Sequence, residues 1–216
     1  MMRYIKHFFI AALFLFQVGY SNGQTLDARW LHSINTHTTP FLSHTSTFLS
    51  NSTAYIAVGV PVILLGAGYL SNDQKLTEGG WYVGSSLVIS SIFTLSAKYI
   101  VNRPRPYITY PNYFDPRGLE GSPSFPSGHT SLAFSTATSL SLYNPKWYVI
   151  VPSFTWAAAV GYSRLNEGVH YPSDVFAGAL FGAGSAWLTF KLNQWLNHPI
   201  QRVSRHTLKW VHHHHS

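Results

Sequence analysis

Three short stretches, Lys98 to Pro106, Pro126 to His129 and Ser163 to Asp174, gather the residue types that grip a phosphate, attack it and protonate its leaving group. Charge is scarce elsewhere. Asp, Glu, Lys and Arg make up 10% of the chain, against roughly 25% in an ordinary soluble domain. Yet these stretches hold Lys98, Arg103, Arg105, Arg164, Glu167 and Asp174. Charge so sparse reads as charge placed for a purpose.

In the first stretch Lys98 offers a compact charge and Arg105 a planar fork for two phosphate oxygens, while Pro104 and Pro106 stiffen the loop between them. The second stretch, Pro126-Ser127-Gly128-His129, opens an apolar helical segment. A helix N-terminus presents unpaired N–H groups, Gly128 lets an anion come close, and the Ser127 hydroxyl adds a donor. His129 is then held beside the bound group. The third stretch adds Arg164, a second histidine at His170 and a carboxylate four residues on at Asp174. Pro172 fits a first helical turn, which lets Asp174 reach back to His170. A carboxylate on one imidazole nitrogen fixes the tautomer and makes the other nitrogen more nucleophilic.

The elements that carry these residues read as membrane spans. At 216 residues the chain is sized for one domain. Apolar residues reach 46% and aromatics 16%, so the charged surface of a soluble protein is missing. The formal charge of +7 forms no basic stripe, which argues against nucleic acid as a partner. Without cysteine there is neither a disulfide framework nor a thiolate metal site. Five apolar segments, about Thr53 to Leu70, Trp81 to Val101, Thr130 to Tyr143, Trp147 to Tyr162 and Val175 to Trp195, are bounded by turn signals. Trp81, Tyr82, Tyr143, Trp147, Tyr148 and Trp195 stand at their ends as headgroup-level anchors. Small residues such as Gly178 and Gly182 allow close helix packing.

Ahead of these spans, Arg3 and Lys6 precede an apolar run from Phe8 to Val18 and a small, polar stretch to Gln24. This reads as a signal peptide or, uncleaved, as an anchor and sixth span. Leu26, Trp30, Leu31 and Ile34 have helical spacing, Thr25 can cap the start and Pro40 interrupts the run, so Thr25 to Phe48 reads as an amphipathic helix on the membrane surface. Its His32, His37 and His44 match no compact ligand spacing and read as solvated interface residues. The expected fold is therefore all-α: a polytopic transmembrane bundle of five spans, plus the leader or sixth span and the interfacial helix. Residues 1–23 form the leader, 24–200 the membrane domain and 201–216 a basic tail whose final histidines are left out of the functional reading.

With the three stretches in view, the chain resembles the type 2 phosphatidic acid phosphatase family, integral-membrane lipid phosphatases that need no metal or other cofactor. Lys98 to Pro106 is similar to its Lys-x6-Arg-Pro signature, Pro126 to His129 to Pro-Ser-Gly-His, and Ser163 to Asp174 to Ser-Arg-x5-His-x3-Asp. The resemblance implies that His170 attacks phosphorus to give a phosphohistidine, Asp174 orients it and His129 protonates the leaving oxygen. Lys98, Arg105, Arg164, Ser127 and the Gly128 backbone would hold the equatorial oxygens. Arg103 lies outside the fixed positions and is left as a substrate contact, while Asn166 and Glu167 are unassigned. Alternatives using the same cradle are a lipid phosphotransferase, a vanadium haloperoxidase-like enzyme and a non-catalytic lipid-binding protein. The implied substrates are undecaprenyl pyrophosphate, a lipid A phosphate or a phosphatidyl phosphate, met in a bacterial inner membrane among its lipids.

Sidedness follows from loop charge. With Arg3 and Lys6 inside, alternation leaves Lys75, Lys146 and the basic tail inside and turns all three stretches to the periplasm. Single cysteines at Asn112 and Asn166 are expected to react with a membrane-impermeant thiol reagent in intact spheroplasts, and one at Asn72 to be protected. The reverse labelling pattern would invert the topology.

Overall fold

The computed structural model describes residues 23–213, with side chains from 25 to 195. The expected leader, and the side chains of the basic tail, lie outside what it describes. Seven helices and no strands occur among the described residues: α1 (Gly23–Thr36), α2 (Pro40–Ser71), α3 (Gln74–Val101), the one-turn α4 (Pro106–Thr109), α5 (Gly128–Tyr143), α6 (Trp147–Asn166) and α7 (Pro172–His213). Three segments, Pro40–Ser71, Gln74–Thr109 and Pro172–Trp195, are long and apolar enough to cross a membrane. Tyr55, Ile63, Leu70, Ile100 and Phe176 are exposed on them, as lipid-facing side chains would be.

Caps decide where the helices stop, and therefore where the reactive loops begin. Pro40 does not interrupt a helix but starts one. Thr39 caps α2 by accepting from the Leu42 N–H at 3.2 Å, so residues expected in the surface helix belong to the first long helix. Asp73 caps α3, accepting from Lys75 and Leu76 N–H groups at 2.9 and 3.2 Å. At the other end of α3, Asn102 takes the left-handed conformation, with φ 47°, and its N–H reaches the Lys98 carbonyl. The chain thus leaves α3 sharply into Arg103-Pro104-Arg105. Ser127 caps α5, and Pro172 stands at the first position of α7.

Small residues let the helices close up behind the site. The contact between α5 and α7 is the most extensive in the fold. A Cβ at Gly178 would lie 2.6 Å from the Ser127 carbonyl oxygen, and one at Gly182 would collide with that of Ser131. Ser131 accepts or donates to Ser90 at 2.8 Å and Thr94 at 2.7 Å, tying α5 to α3. Apolar contacts complete the bundle: Ala57, Val83 and Leu87 join α2 to α3, and Ala133, Ala137, Ala157 and Val160 join α5 to α6.

Two sequence expectations change. Tyr82 is buried and donates to the Ala186 carbonyl at 2.9 Å, so it ties α3 to α7 where an interfacial anchor was expected. Trp81, Trp147, Tyr148 and Trp195 are exposed. Helix α1 starts before Thr25 and does not rest on a surface alone. It buries Ala28 and Leu31 against Phe114 and Tyr171, and exposes Leu26 and Trp30 on its other side.

The labelling test of sidedness is refined by burial. Asn166 is fully buried, and Asn72 and Asn112 have φ of 54° and 64°, a region that disfavours cysteine. Exposed Leu119 and Gln74 are the better outer and inner positions. A second prediction concerns the seam itself. Gly178→Ala is expected to cost about 1–3 kcal/mol through overpacking, read as a lower thermal midpoint in detergent. Gly184→Ala, with nothing within 4 Å, is expected to leave the midpoint unchanged.

Candidate active site

The residues singled out in the sequence converge at one end of the bundle. Lys98, Gly128 and His129 line a cavity of about 320 Å³ together with Glu120 and Ser122. Its remaining wall is Ala54 of α2, Ser90, Ser91, Thr94 and Leu95 of α3, and Ser131 and Leu132 of α5. Lys98 comes from the last turn of α3 and donates from Nζ to the Pro123 carbonyl at 2.6 Å. Its methylene chain passes 3.8 Å from where a Gly128 Cβ would stand, so the glycine keeps the helix terminus open beside the cation.

Arg105 is 1% exposed and fully engaged. Its Nε donates to the Ser122 carbonyl at 2.7 Å, and one terminal nitrogen donates to Val169 O at 3.1 Å and lies 3.4 Å from His170 Nε2. The other donates to Glu120 Oε2 at 2.6 Å and Ser122 Oγ at 3.1 Å. Arg164, on the last turn of α6, reaches Glu120 Oε1 and Ser50, and pairs with Glu167 at 2.6 Å. His129 places Nδ1 3.9 Å from Glu120 Oε1. A carboxylate thus lies across the two guanidinium groups that phosphate recognition would use.

Glu120 escaped the sequence reading because its loop carries no motif. One signal was available: Asp and Glu together number seven in the chain, and a carboxylate within ten residues of His129 in so acid-poor a protein invites attention. Burial alone would raise the Glu120 carboxyl, but Arg164 and Arg105 outweigh it and hold it down at about 2. It is therefore an anion at any working pH.

His170 turns Nε2 toward Arg105 and Nδ1 toward Asp174. The Nδ1 to Asp174 Oδ2 separation is 3.7 Å, longer than a hydrogen bond, and Nδ1 has no other partner. Asp174 Oδ2 instead accepts from Ser124 Oγ and from the Tyr171 N–H at 2.9 Å, and Oδ1 from Arg103 at 2.7 Å. Burial pushes the His170 imidazole down to about 4, against the pull of Asp174 and with Arg105 and Arg164 adding to it. A neutral imidazole with Nε2 beside the anion seat is suited to nucleophilic attack.

Ser127 differs in detail from its expected use. Its hydroxyl accepts from Thr130 Oγ1 at 2.9 Å, and its N–H donates to the Asp174 carbonyl at 3.0 Å, so it joins the α5 terminus to the start of α7. Arg103, left open in the sequence, turns its terminal nitrogens to Asp174, Ser173 and Asp27. Of the unassigned pair, Glu167 balances Arg164, while Asn166 accepts from Arg117 at 3.1 Å and donates to Thr38 at 2.8 Å.

The family model of the PAP2 superfamily matches residues 79–198, which contain all three stretches. The chain belongs to the PAP2 superfamily. It is 34% identical over 131 residues to an undecaprenyl-diphosphatase of Sulfolobus acidocaldarius, covering 57% of this chain and 60% of that one. It is 33% identical over 115 residues to a lipid A 1-phosphatase of Rhizobium johnstonii, covering 51% and 46%. The chain spans about half the length of the curated relatives it matches. A Bacillus subtilis transmembrane PAP2-type phosphatidylglycerolphosphate phosphatase shares the fold, with a TM-score of 0.72, 23% identity and coverage of 86% of this chain and 94% of that one.

A pH profile follows from the buried imidazole of this PAP2 site. Were His170 the attacking group it would have to be neutral, and burial holds its imidazole down at about 4. The acid limb of kcat/KM, corrected for substrate ionisation, is expected near that pH and not near the ordinary imidazole value of about 6.5. A limb at the ordinary value would mean that His170 is solvated when it reacts.

Proposed function

We propose that the protein is a metal-independent phosphatase of lipid phosphates or lipid pyrophosphates, acting through a phosphohistidine at the periplasmic face of a bacterial inner membrane. The observation that carries this reading is the Glu120 carboxylate lying on Arg105 and Arg164 within 3.9 Å of His129. The seat already holds an oxyanion, and it does so beside Nε2 of a neutral imidazole. Support also comes from membership of the PAP2 superfamily and from relatives named as undecaprenyl-diphosphatase and lipid A 1-phosphatase.

In this reading the substrate phosphoryl group takes the place of the Glu120 carboxylate on Arg105 and Arg164. Lys98, the Gly128 N–H and the Ser127 hydroxyl complete its surround. His170 Nε2 forms a bond to phosphorus as the bond to the lipid oxygen breaks, and His129 delivers a proton to that oxygen. Negative charge spreading over the equatorial oxygens meets fixed cations and N–H dipoles, which need little rearrangement. Water, giving its proton back to His129, then attacks phosphorus, breaks the P–N bond and releases inorganic phosphate. Asp174 steadies the imidazole through both steps.

Five of the helices, α2, α3, α5, α6 and α7, serve as the spans in this reading, with α1 at the outer surface. The cavity wall of Ser90, Ser91, Thr94, Leu95 and Leu132 runs down α3 and α5 from the seat and suits the first carbons of a lipid chain. Undecaprenyl pyrophosphate, a lipid A phosphate and a phosphatidyl phosphate all present such a chain behind a phosphate.

The deciding experiment is phosphate release by the purified protein from these three lipid classes, with a metal chelator present. Turnover of at least one class is expected, and His170→Ala is expected to lose on the order of 10³-fold or more while remaining folded. Chelator-sensitive turnover restored by a divalent ion, or near-normal release by folded His170→Ala, would reject the mechanism.

A further inference from the structure

Asp174 has more partners than steadying a histidine requires. Its side chain is fully buried, and both oxygens are occupied by groups other than His170. The most committed of those partners is Arg103, 9% exposed. One of its terminal nitrogens donates to Asp174 Oδ1 and to Ser173 Oγ, each at 2.7 Å. The other donates to Asp27 Oδ2 at 3.0 Å. Its guanidinium carbon lies 3.9 Å from the centroid of the Tyr171 ring, which fixes the plane of the fork. Arg105 and Arg164 hold the Glu120 carboxylate, whereas Arg103 turns its terminal nitrogens to Asp174, Ser173 and Asp27.

Asp27 brings in a distant part of the chain. It stands on α1, and besides Arg103 it accepts from the Ser173 N–H at 3.2 Å and from the Ser173 hydroxyl. It therefore caps the first turn of α7 from another helix, at the turn that carries Asp174. Helix α1 is fixed in its turn by Leu31, packed against Phe114 and Tyr171, and by Asn35, whose amide donates to the Asp115 and Asn166 carbonyls at 3.0 and 2.9 Å. A chain of contacts runs from α1 through Asp27 and Arg103 to Asp174, and from there to His170 at 3.7 Å.

We propose that Arg103 and Asp27 are positioning residues through which helix α1 sets the place of Asp174 and, through it, the aim of His170, so that α1 is a working part of the site. The inference rests on His170 being the nucleophile, as proposed above. Its physical basis is the sharing of one guanidinium by two carboxylates. Arg103 draws Asp174 Oδ1 away from the imidazole side and leaves Oδ2 facing Nδ1, a few tenths of an ångström short of a hydrogen bond. Removing the arginine would leave two acids close together in a dry site, free to repel and to turn. Removing the charge of Asp27 would let Arg103 follow Asp174 alone, and the turn at Ser173 would lose its cap.

The test separates placement of the nucleophile from binding of the anion. Arg103→Ala, Arg103→Lys and Asp27→Asn are assayed as full-length protein for kcat and KM, and for competitive inhibition by vanadate as a probe of the seat. Arg103→Ala is expected to lose about 10²-fold in kcat, as outer-shell partners of reacting groups do. KM and the vanadate inhibition constant should stay within about threefold, because the anion's own ligands are intact. Added guanidinium should restore about tenfold or more of the lost kcat, and Asp27→Asn should lose about tenfold with the seat unaffected. If Arg103→Ala does not fold, Arg103→Lys and Asp27→Asn decide by the same criterion. A loss of vanadate affinity matching the loss of turnover would make Arg103 an anion ligand, and unchanged kcat in the Arg103 variants would remove the positioning role. Either result with an inactive His170→Ala protein overturns this inference alone, whereas an active His170→Ala protein overturns the reading of the site.

Discussion

Holding Arg105 and Arg164 side by side in a buried pocket is the constraint on which the rest of the site depends. Two like charges withdrawn from water repel each other and each lose hydration worth several kcal/mol. The fold answers with carboxylates. Glu120 bridges the two guanidinium groups, and Glu167 takes a further edge of Arg164. Carbonyls of Ser122 and Val169 accept from what remains of Arg105. This arrangement keeps the positive field fixed; burial keeps His170 neutral, and the two guanidinium groups add to that effect. The cations that favour an oxyanion thus also help to leave the imidazole uncharged.

Four helices of the bundle contribute to that constraint through their ends. Helix α3 ends at Asn102, which aims Arg103 and Arg105 inward, α6 carries Arg164 in its last turn, and α5 and α7 begin at Ser127 and Pro172. The close seam at Gly178 and Gly182 brings those last two starts together, so that the Ser127 N–H can meet the Asp174 carbonyl. Of the hydroxyls on α3 and α5, those of Ser86, Ser90, Thr94, Ser131 and Thr136 bond one another or a carbonyl of their own helix, whereas those of Ser135, Thr138 and Ser141 on α5 are buried without a partner. The bonds from Ser131 to Ser90 and Thr94 are the ones that cross between the two helices, and such polar ties hold helices together in an apolar solvent.

Much of this was legible in the sequence because it is local. The four-residue step from His170 to Asp174, the proline-braced arginines and the Ser127-Gly128-His129 helix start are fixed by neighbours in the chain. The helices were legible for the same reason, since apolar runs bounded by turn residues announce themselves. What escaped was long-range. Glu120 is 44 residues from Arg164, and Asp27 is 76 from Arg103. Neither acid has a periodicity or a motif that names its partner. Arg103 stayed unassigned because spacing alone cannot say which way a side chain turns after a left-handed cap, and Tyr82 was misread because an aromatic near a helix end serves equally at a surface or between helices.

The loop between α4 and α5 has no regular structure, yet it is held at defined points. The Arg117 N–H donates to the Glu167 carbonyl at 2.9 Å, and the Ser124 N–H to that of Arg103 at 2.8 Å. Between these pins lie residues 118–123, with Gly118 at φ 83° and a second glycine at Gly121 on either side of Glu120. The segment is held between these pins as well, the Ser122 carbonyl accepting from Arg105 Nε at 2.7 Å and the Pro123 carbonyl from Lys98 Nζ at 2.6 Å. Glu120 has both of its backbone groups on one tyrosine, its N–H donating to the Tyr107 hydroxyl at 3.2 Å and its carbonyl accepting from it at 2.8 Å, so the acid that bridges the arginines is anchored to α4 through its main chain as well as to the cations through its side chain.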